Sequence, residues 1–313
     1  MKSYILRRFT LLIPVLFLLS LFTFGLLYIT PGDPAEMVLS RSGVDPTREA
    51  VEAMKVEMGL DKPFYLRYVY WFGNALQGNL GISYRTGEPV TGKILSRLPA
   101  TMELSLAAII FMLIIALPAG ILASVHRDRA IDNISRIAAL LGVSLPGFWL
   151  GLILIYLFSM KMKIFPVIGR GGINHLILPA ITLGFGMAAV YSRLLRANML
   201  EVLSQDYIQA AYARGIHNWR VITRHALKNA LLPIVTLFGM SFGNLLGGSI
   251  IIETVFAWPG VGKLVVDSIF ERDFPVIQGF VLFMGLIYIL TNLFVDITYM
   301  WIDPRIRLRK SIG

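Results

Sequence analysis

The sequence predicts an all-α integral membrane protein with six transmembrane helices, an extracytoplasmic cap segment after helix 1 and a cytoplasmic helical segment between helices 4 and 5. Three observations lead there. The chain is 56% hydrophobic and only 15% charged, with a mean hydropathy of +0.69 over 313 residues. Soluble domains carry about 25% charge. Six runs free of Asp, Glu, Lys and Arg are each close to the ~20 residues needed to cross ~30 Å of hydrocarbon. Basic residues gather in four segments that fall on one side of a six-span chain, which marks that side as cytoplasmic.

The first span, 9–29, follows Lys2, Arg7 and Arg8 and ends at the Pro31-Gly32 turn. A signal peptide also opens on basic residues. Here the uncharged run exceeds the usual signal core and no clear small-residue cleavage site follows, so a retained span is expected. The cap segment, 30–100, holds eight acids and eight bases. Its stretch "PTREAVEAMKVEMGL" reads as a helix opened by Pro46 and closed by Gly59. The segment is either a surface for a delivery partner or a decorated loop.

Span two is 104–125, and the loop "HRDRAIDNISR" after it carries Arg127, Arg129 and Arg136. Span three is 137–160. The outer loop that follows holds Lys161, Lys163 and Arg170 with no acid to compensate them. Span four is 171–192. The cytoplasmic segment 193–229 then sets Arg193, Arg196, Arg214, Arg220, Arg224 and Lys228 against Glu201 and Asp206. Span five is 230–252. Its outer loop has two bases, Lys263 and Arg272, and four acids, Glu253, Asp267, Glu271 and Asp273. Span six is 274–295, and the tail ends in Arg305, Arg307, Arg309 and Lys310, so both termini are expected to be cytoplasmic.

Within 193–229, "EVLSQDYIQAAYARG" reads as a short helix closed by Gly215, with Ile216 supplying the apolar contact beyond it. Asn218 reads as the N-cap of a second helix, "WRVITRHALKNALL". Ala210 and Ala211 allow another backbone to come close, and Tyr207 offers an amphipathic contact surface of the kind enriched at interfaces. A helix lying on lipid headgroups is the alternative, but two adjacent alanines bury little area there. In the loop after span five, "ETVFAWPGVG" places Trp258 before a Pro259-Gly260 turn. It reads as a short re-entrant or interfacial helix closing the outer mouth of a pathway, or as an aromatic-belt anchor.

"AAYARG" followed by "HALKNALLP" resembles the cytoplasmic coupling segment of ABC-importer permeases, in the branch that handles peptides and nickel. "ILRRF", "PGDP", "GLDKP", "LGIS", "LPATMEL", "HRDR", "ILPA", "IIETVFAWPGVG" and "DPRIR" resemble the same branch in order and spacing along nearly the whole chain. The resemblance implies a bacterial or archaeal plasma (inner) membrane permease. It implies pairing with a second homologous permease, two cytoplasmic ATPase subunits that grip the coupling helices, and an extracytoplasmic substrate-binding protein. It implies that the cytoplasmic helical segment between helices 4 and 5 is a coupling helix, with ATPase-coupling roles for Asp206, Tyr207, Ala210, Ala211, Arg214 and Gly215, and an outer gate at Trp258, Pro259 and Gly260. One departure is Gln209, which stands near where the broader motif often has Glu. The loop between spans three and four is short, as in the nickel and glutathione members of the branch, and leans slightly to nickel or a nickel chelate, with small peptides close behind.

Other classes fare worse. "PGVGKLV" lacks both the earlier glycine and the Ser or Thr of a phosphate loop, where Ala257 and Leu264 stand. "HRD" has no glycine-rich loop or DFG beside it, so no catalysis and no cofactor is expected. The four histidines form no cluster with metal-site spacing. The net charge of +10 fits cytoplasmic loops facing membrane lipid better than nucleic acid. With no cysteine, disulfides, thiolate metal ligands and a cysteine nucleophile are excluded. A secondary transporter or channel working without an ATPase is the rival reading, but such proteins place ionisable groups inside their spans, whereas Glu103, Glu253 and Asp296 sit at span edges.

Overall fold

A computed structural model describes residues 2–40 and 46–302, and of these none forms a strand beyond one isolated antiparallel bridge, Ile82 to Pro89. Side chains at 2–9, 11, 236, 238–244, 246, 248 and 294–302 fall outside the described set, as does the basic tail from Arg305 to Lys310. In chain order the helices are α1 (Lys2–Ile29), α2 (Pro34–Leu39), α3 (Arg48–Glu57), α4 (Phe64–Leu76) and α5 (Val90–Val125). Next come α6 (Ala130–Ser144), α7 (Gly147–Leu154) with a π-helical continuation Ile155–Lys161, α8 (Gly172–Leu203) and α9 (Asp206–Ala213). Then α10 (Asn218–Arg220) runs through a second π-helical stretch, Val221–Ala226, into α11 (Leu227–Ala230). The chain closes with α12 (Leu232–Val255), α13 (Val261–Phe270) and α14 (Phe274–Ile302).

Among the described residues, four helices are long and apolar enough to cross a membrane: Leu12–Ile29 of α1, α5, α8, and Phe274–Leu293 of α14. The pair formed by α6 with α7 and its π continuation makes a fifth if it is one broken span. The expected straight span at 137–160 is corrected by this break, which bends the chain by 102°. Pro146 explains it. A proline disfavours helical geometry in the residue before it, and Leu145 is extended at φ −83°, ψ 124°. A run free of charge says nothing about backbone continuity, so the charge pattern missed it. The expected start of span two also shifts. Glu103 ends the uncharged run but not the helix, which also takes in Lys93 and Arg97, and α5 reaches back to Val90, inside the expected cap.

The described residues form two compact units, one from those within 2–99 and 260–293, the other from 100–259 and 294–302. In the first unit, α4 lies on α1 through an aromatic seam. Phe24 meets Phe64, Tyr68 and Trp71 at ring-centroid distances of 5.5 Å, and the Ser20 and Tyr68 hydroxyls share a 2.7 Å hydrogen bond. Helix α3 is capped by Thr47, whose hydroxyl accepts from the Ala50 N–H. Pro46 therefore precedes the cap rather than opening the helix, while Gly59 ends it at φ +65°.

In the second unit, α8 is the central post, packed by α6, α7, α11 and α12. Close approach explains its small residues. A Cβ at Gly184 would lie 2.5 Å from the Ala108 carbonyl oxygen of α5, and one at Gly142 would lie 2.7 Å from the Ala189 Cβ of α8. Small side chains let helix backbones pack where lipid offers no hydrophobic drive between them.

Candidate functional site

The site begins where α8 ends. Its helix stops at Leu203, and α9 restarts after Gln205 with Asp206 in its first turn, where a carboxylate suits the positive end of the helix dipole. Two residues on one face of α9 are buried, Ile208 at 0% exposed and Ala211 at 7%. They sit three apart and so lie on one side of the helix. That side packs into a core shared with Leu195 and Met199 of α8 and with Val221, Ile222 and Ala226 of the following π stretch. Ile216 packs against the same cluster.

Gly215 follows α9 at φ +74°. Its N–H donates to the Tyr212 carbonyl at 2.9 Å, and the Ile216 N–H donates to the Ala211 carbonyl at 3.3 Å. This is the paired closure of a Schellman motif, and it fixes the exit angle of the chain. Asn218 does not cap the second helix. His217 occupies that position, while the Asn218 side-chain oxygen accepts from the Tyr212 hydroxyl at 2.9 Å. The Tyr207 hydroxyl accepts from the Asn229 side-chain amide at 2.8 Å, which ties α9 to α11.

The expected contact set is thus divided. Asp206, Tyr207, Ala210, Arg214 and Gly215 are exposed, as are Tyr212 and Trp219. Ala211 is a correction. It was expected at the closest approach of a partner, yet it faces this chain's own core. Both alanines are small, and sequence alone does not say which side of a two-turn helix faces inward.

An ion pair that the charge reading did not assign joins α8 to α6. Arg196 of α8 donates to both carboxylate oxygens of Asp132 at the start of α6, at 2.5 and 2.6 Å, and the Asp128 N–H donates to the same carboxylate at 3.0 Å. Asp132 is 0% exposed. Paired N–H donors match a planar carboxylate, so the contact fixes orientation as well as charge. The signal was present, since Asp132 sits in "HRDRAIDNISR", but arginines counted as topology markers hide a partner 64 residues away.

On the other face of this unit, Trp258 is fully buried, and its indole N–H donates to the Ala100 carbonyl at 2.8 Å. It packs with Leu104, Leu176 and Phe256. The aromatic-belt expectation is corrected, because the ring has no surface left for lipid. The ring also offers no face to a pathway in this arrangement. Pro259 is half-buried and Gly260 precedes α13. Nearby, Arg170 donates to Glu103 at 2.6 and 2.9 Å, which corrects the expectation that Arg170 lacks an acid. The Thr101 hydroxyl donates to the fully buried Glu253 at 2.7 Å.

Residues 116–308 match the family described as "Binding-protein-dependent transport system inner membrane component", and residues 1–107 match its N-terminal companion, "Binding-prot-dependent transport system membrane comp, N-term". The chain belongs to this family of ABC-importer permeases. It is 41% identical over 309 residues to the "Glutathione transport system permease protein GsiC" of Escherichia coli strain CFT073, covering 99% of this chain and 100% of the relative. The protein of the same name from Shigella flexneri serotype 5b is likewise 41% identical over 309 residues, with the same coverage. Among solved structures, the inward-facing MetNI methionine ABC transporter shares the fold, with a TM-score of 0.57 at 20% identity over 67% of this chain and 96% of that one. The permease is a multi-pass inner-membrane protein and not an enzyme, and the ATPase of such systems is a separate subunit. The family implies an ATPase and a substrate-binding protein as partners.

Proposed function

We propose that this permease forms half of the translocation pathway for a peptide-like solute of about the size of glutathione. The observation that carries the substrate class is the full-length likeness to permeases named for glutathione. Nickel, toward which the short loop after span three leans, has no support among the relatives named above. A second homologous permease completes the pathway, two cytoplasmic ATPases drive it and an extracytoplasmic binding protein delivers to it.

In this reading α9 is the helix that the ATPase grips. A helix seated on its own core and closed by a fixed turn can pass a partner's two-state motion inward without absorbing it. The contact residues are Asp206, Tyr207, Ala210, Arg214 and Gly215, with Ala211 beneath them as support. Residues 258–260 then act as a fixed wedge beside the outer end of α12 rather than as a moving gate.

Six spans with both termini cytoplasmic fit best. If residues 130–161 turned back instead of crossing, every later segment would change sides. Arg193, Arg196, Arg214, Arg220, Arg224 and Lys228 would then face outward, against the rule for basic residues. A cysteine at Ser3 that reacts with an impermeant thiol reagent in intact cells would overturn this topology.

Uptake by the assembled transporter tests the substrate. Labelled glutathione and a labelled dipeptide are offered beside labelled nickel, with ATP present or absent. ATP-dependent accumulation of glutathione or the dipeptide is expected. Accumulation of nickel alone overturns the substrate class, and accumulation without an ATPase overturns the importer reading.

A further inference from the structure

A cleft of about 890 Å³ opens within the first unit, between the outer end of α1, helices α2 to α4, the loop 77–89 and the start of α14. That is the size of a small-molecule site, which typically spans about 300–1,000 Å³. Neither the pathway nor the coupling surface accounts for it.

Its charges are unequal. Three cations line it, Lys55, Lys62 and Arg67, against the single carboxylate of Asp33. Asp33 and Lys55 neutralise each other at 2.8 Å. Lys62 and Arg67 are left without a carboxylate among the described residues. Each rests on an aromatic face instead, with Lys62 Nζ 4.9 Å from the Tyr70 ring centre and the Arg67 guanidinium carbon 5.3 Å from that of Tyr28. A ring face attracts a cation but leaves its N–H donors without acceptors.

Another wall residue, Trp71, has a buried indole N–H with no hydrogen-bond partner. Leaving such a donor unpaired is unfavourable, and an incoming acceptor would relieve it. Tyr84 also lines the cleft, and burial pushes its hydroxyl above the usual tyrosine range, so it stays a neutral donor. The remaining walls are largely apolar, including Leu27, Met58 and Phe274.

We propose that this cleft binds a molecule that carries an anionic group, carboxylate or phosphate, on an apolar or aromatic body. The anion sits against Lys62 and Arg67, and the body lies on the aromatic and aliphatic walls. Two sources offer that chemistry, a soluble organic acid and an anionic phospholipid headgroup beside α1. The site is independent of the translocation reading, since none of its residues lies on the α9 surface or in 100–259.

The assembled transporter is reconstituted in phosphatidylcholine particles, with and without phosphatidylglycerol. N-acetyl-tyrosine is the soluble probe, with its uncharged amide as control. Equilibrium dialysis measures the probe, and native mass spectrometry counts retained phosphatidylglycerol. Saturable binding of the acid but not the amide is expected, falling about tenfold or more in Lys62→Gln or Arg67→Gln, as loss of a charge-assisted hydrogen bond predicts. Retention of phosphatidylglycerol by wild type, lost in the same variants, identifies the headgroup as occupant and supports the site equally. Arg67→Lys should keep most of the affinity, and Trp71→Phe, which removes the N–H donor together with part of the indole's contact area, should weaken binding. If neither probe distinguishes wild type from Trp71→Phe and the charge variants, the proposal is wrong. ATP-driven uptake is measured alongside, so a failure of the transporter reading is seen separately.

Discussion

Gly215 holds the left-handed turn after α9, and a Cβ built on it meets no heavy atom within 4 Å. Steric room is therefore not at issue, and a side chain there costs only backbone strain. For an ordinary L-residue that strain is about 1–2 kcal/mol, with a β-branched residue worse and asparagine milder. Gly215→Ala should thus raise the open fraction of the turn by a factor of roughly 5–30. The expected order of damage is Asn, then Ala, then Val. Hydrogen exchange reads the effect directly, because the Gly215 and Ile216 amides are the two donors of the motif. Exchange at both should quicken in that order, with membrane abundance unchanged and ATPase co-purification falling in parallel. Gly215→Val exchanging as slowly as the native protein would refute the reasoning. So would an asparagine variant as impaired as the valine one.

Two further outcomes follow from the same unit. Ala210→Glu, on the exposed face of α9, should leave abundance intact and abolish ATPase co-purification, whereas Ala211→Glu should lower abundance because it drives a charge into the Leu195–Val221 core. Immunoblots of membranes beside the pull-down separate the two, and identical behaviour would mean that α9 is not seated as described. Arg196→Gln leaves the Asp132 carboxylate buried without its partner, and truncating one side of a buried pair costs about 3–5 kcal/mol. A lower unfolding temperature is expected, with Asp132→Asn in the same background recovering part of it.

Much of the fold was legible from charge alone. Runs 9–29 and 104–125 lie inside α1 and α5, and 171–192 starts one residue before α8, because a helix in hydrocarbon must satisfy its backbone internally and has few sequence options. Gly59 and Gly215 were readable as helix ends because a left-handed residue is chemically specific. The bend at Pro146 and the backward reach of α5 were not, since both are backbone events that charge does not report. The site was half legible. Its small residues were visible, but which of Ala210 and Ala211 faces inward depends on Ile208 three positions earlier finding the core. The partners Asp132 and Arg196, like Glu103 and Arg170, lie 64 and 67 residues apart, beyond any local pattern.

Between the glycine turn and α12 the chain passes through the π-helical stretch Val221–Ala226. A π turn holds about one residue more than an α turn, and one residue corresponds to about 100° of rotation around a helix axis. The stretch therefore works as a phase offset. It lets the surface presented at Trp219 and the face that α11 turns toward α8 be set independently, though one short run of chain carries both. Deleting a single residue from 221–226 should restore ordinary winding and rotate one end against the other, changing which way the exposed surface points while every side chain on it stays the same.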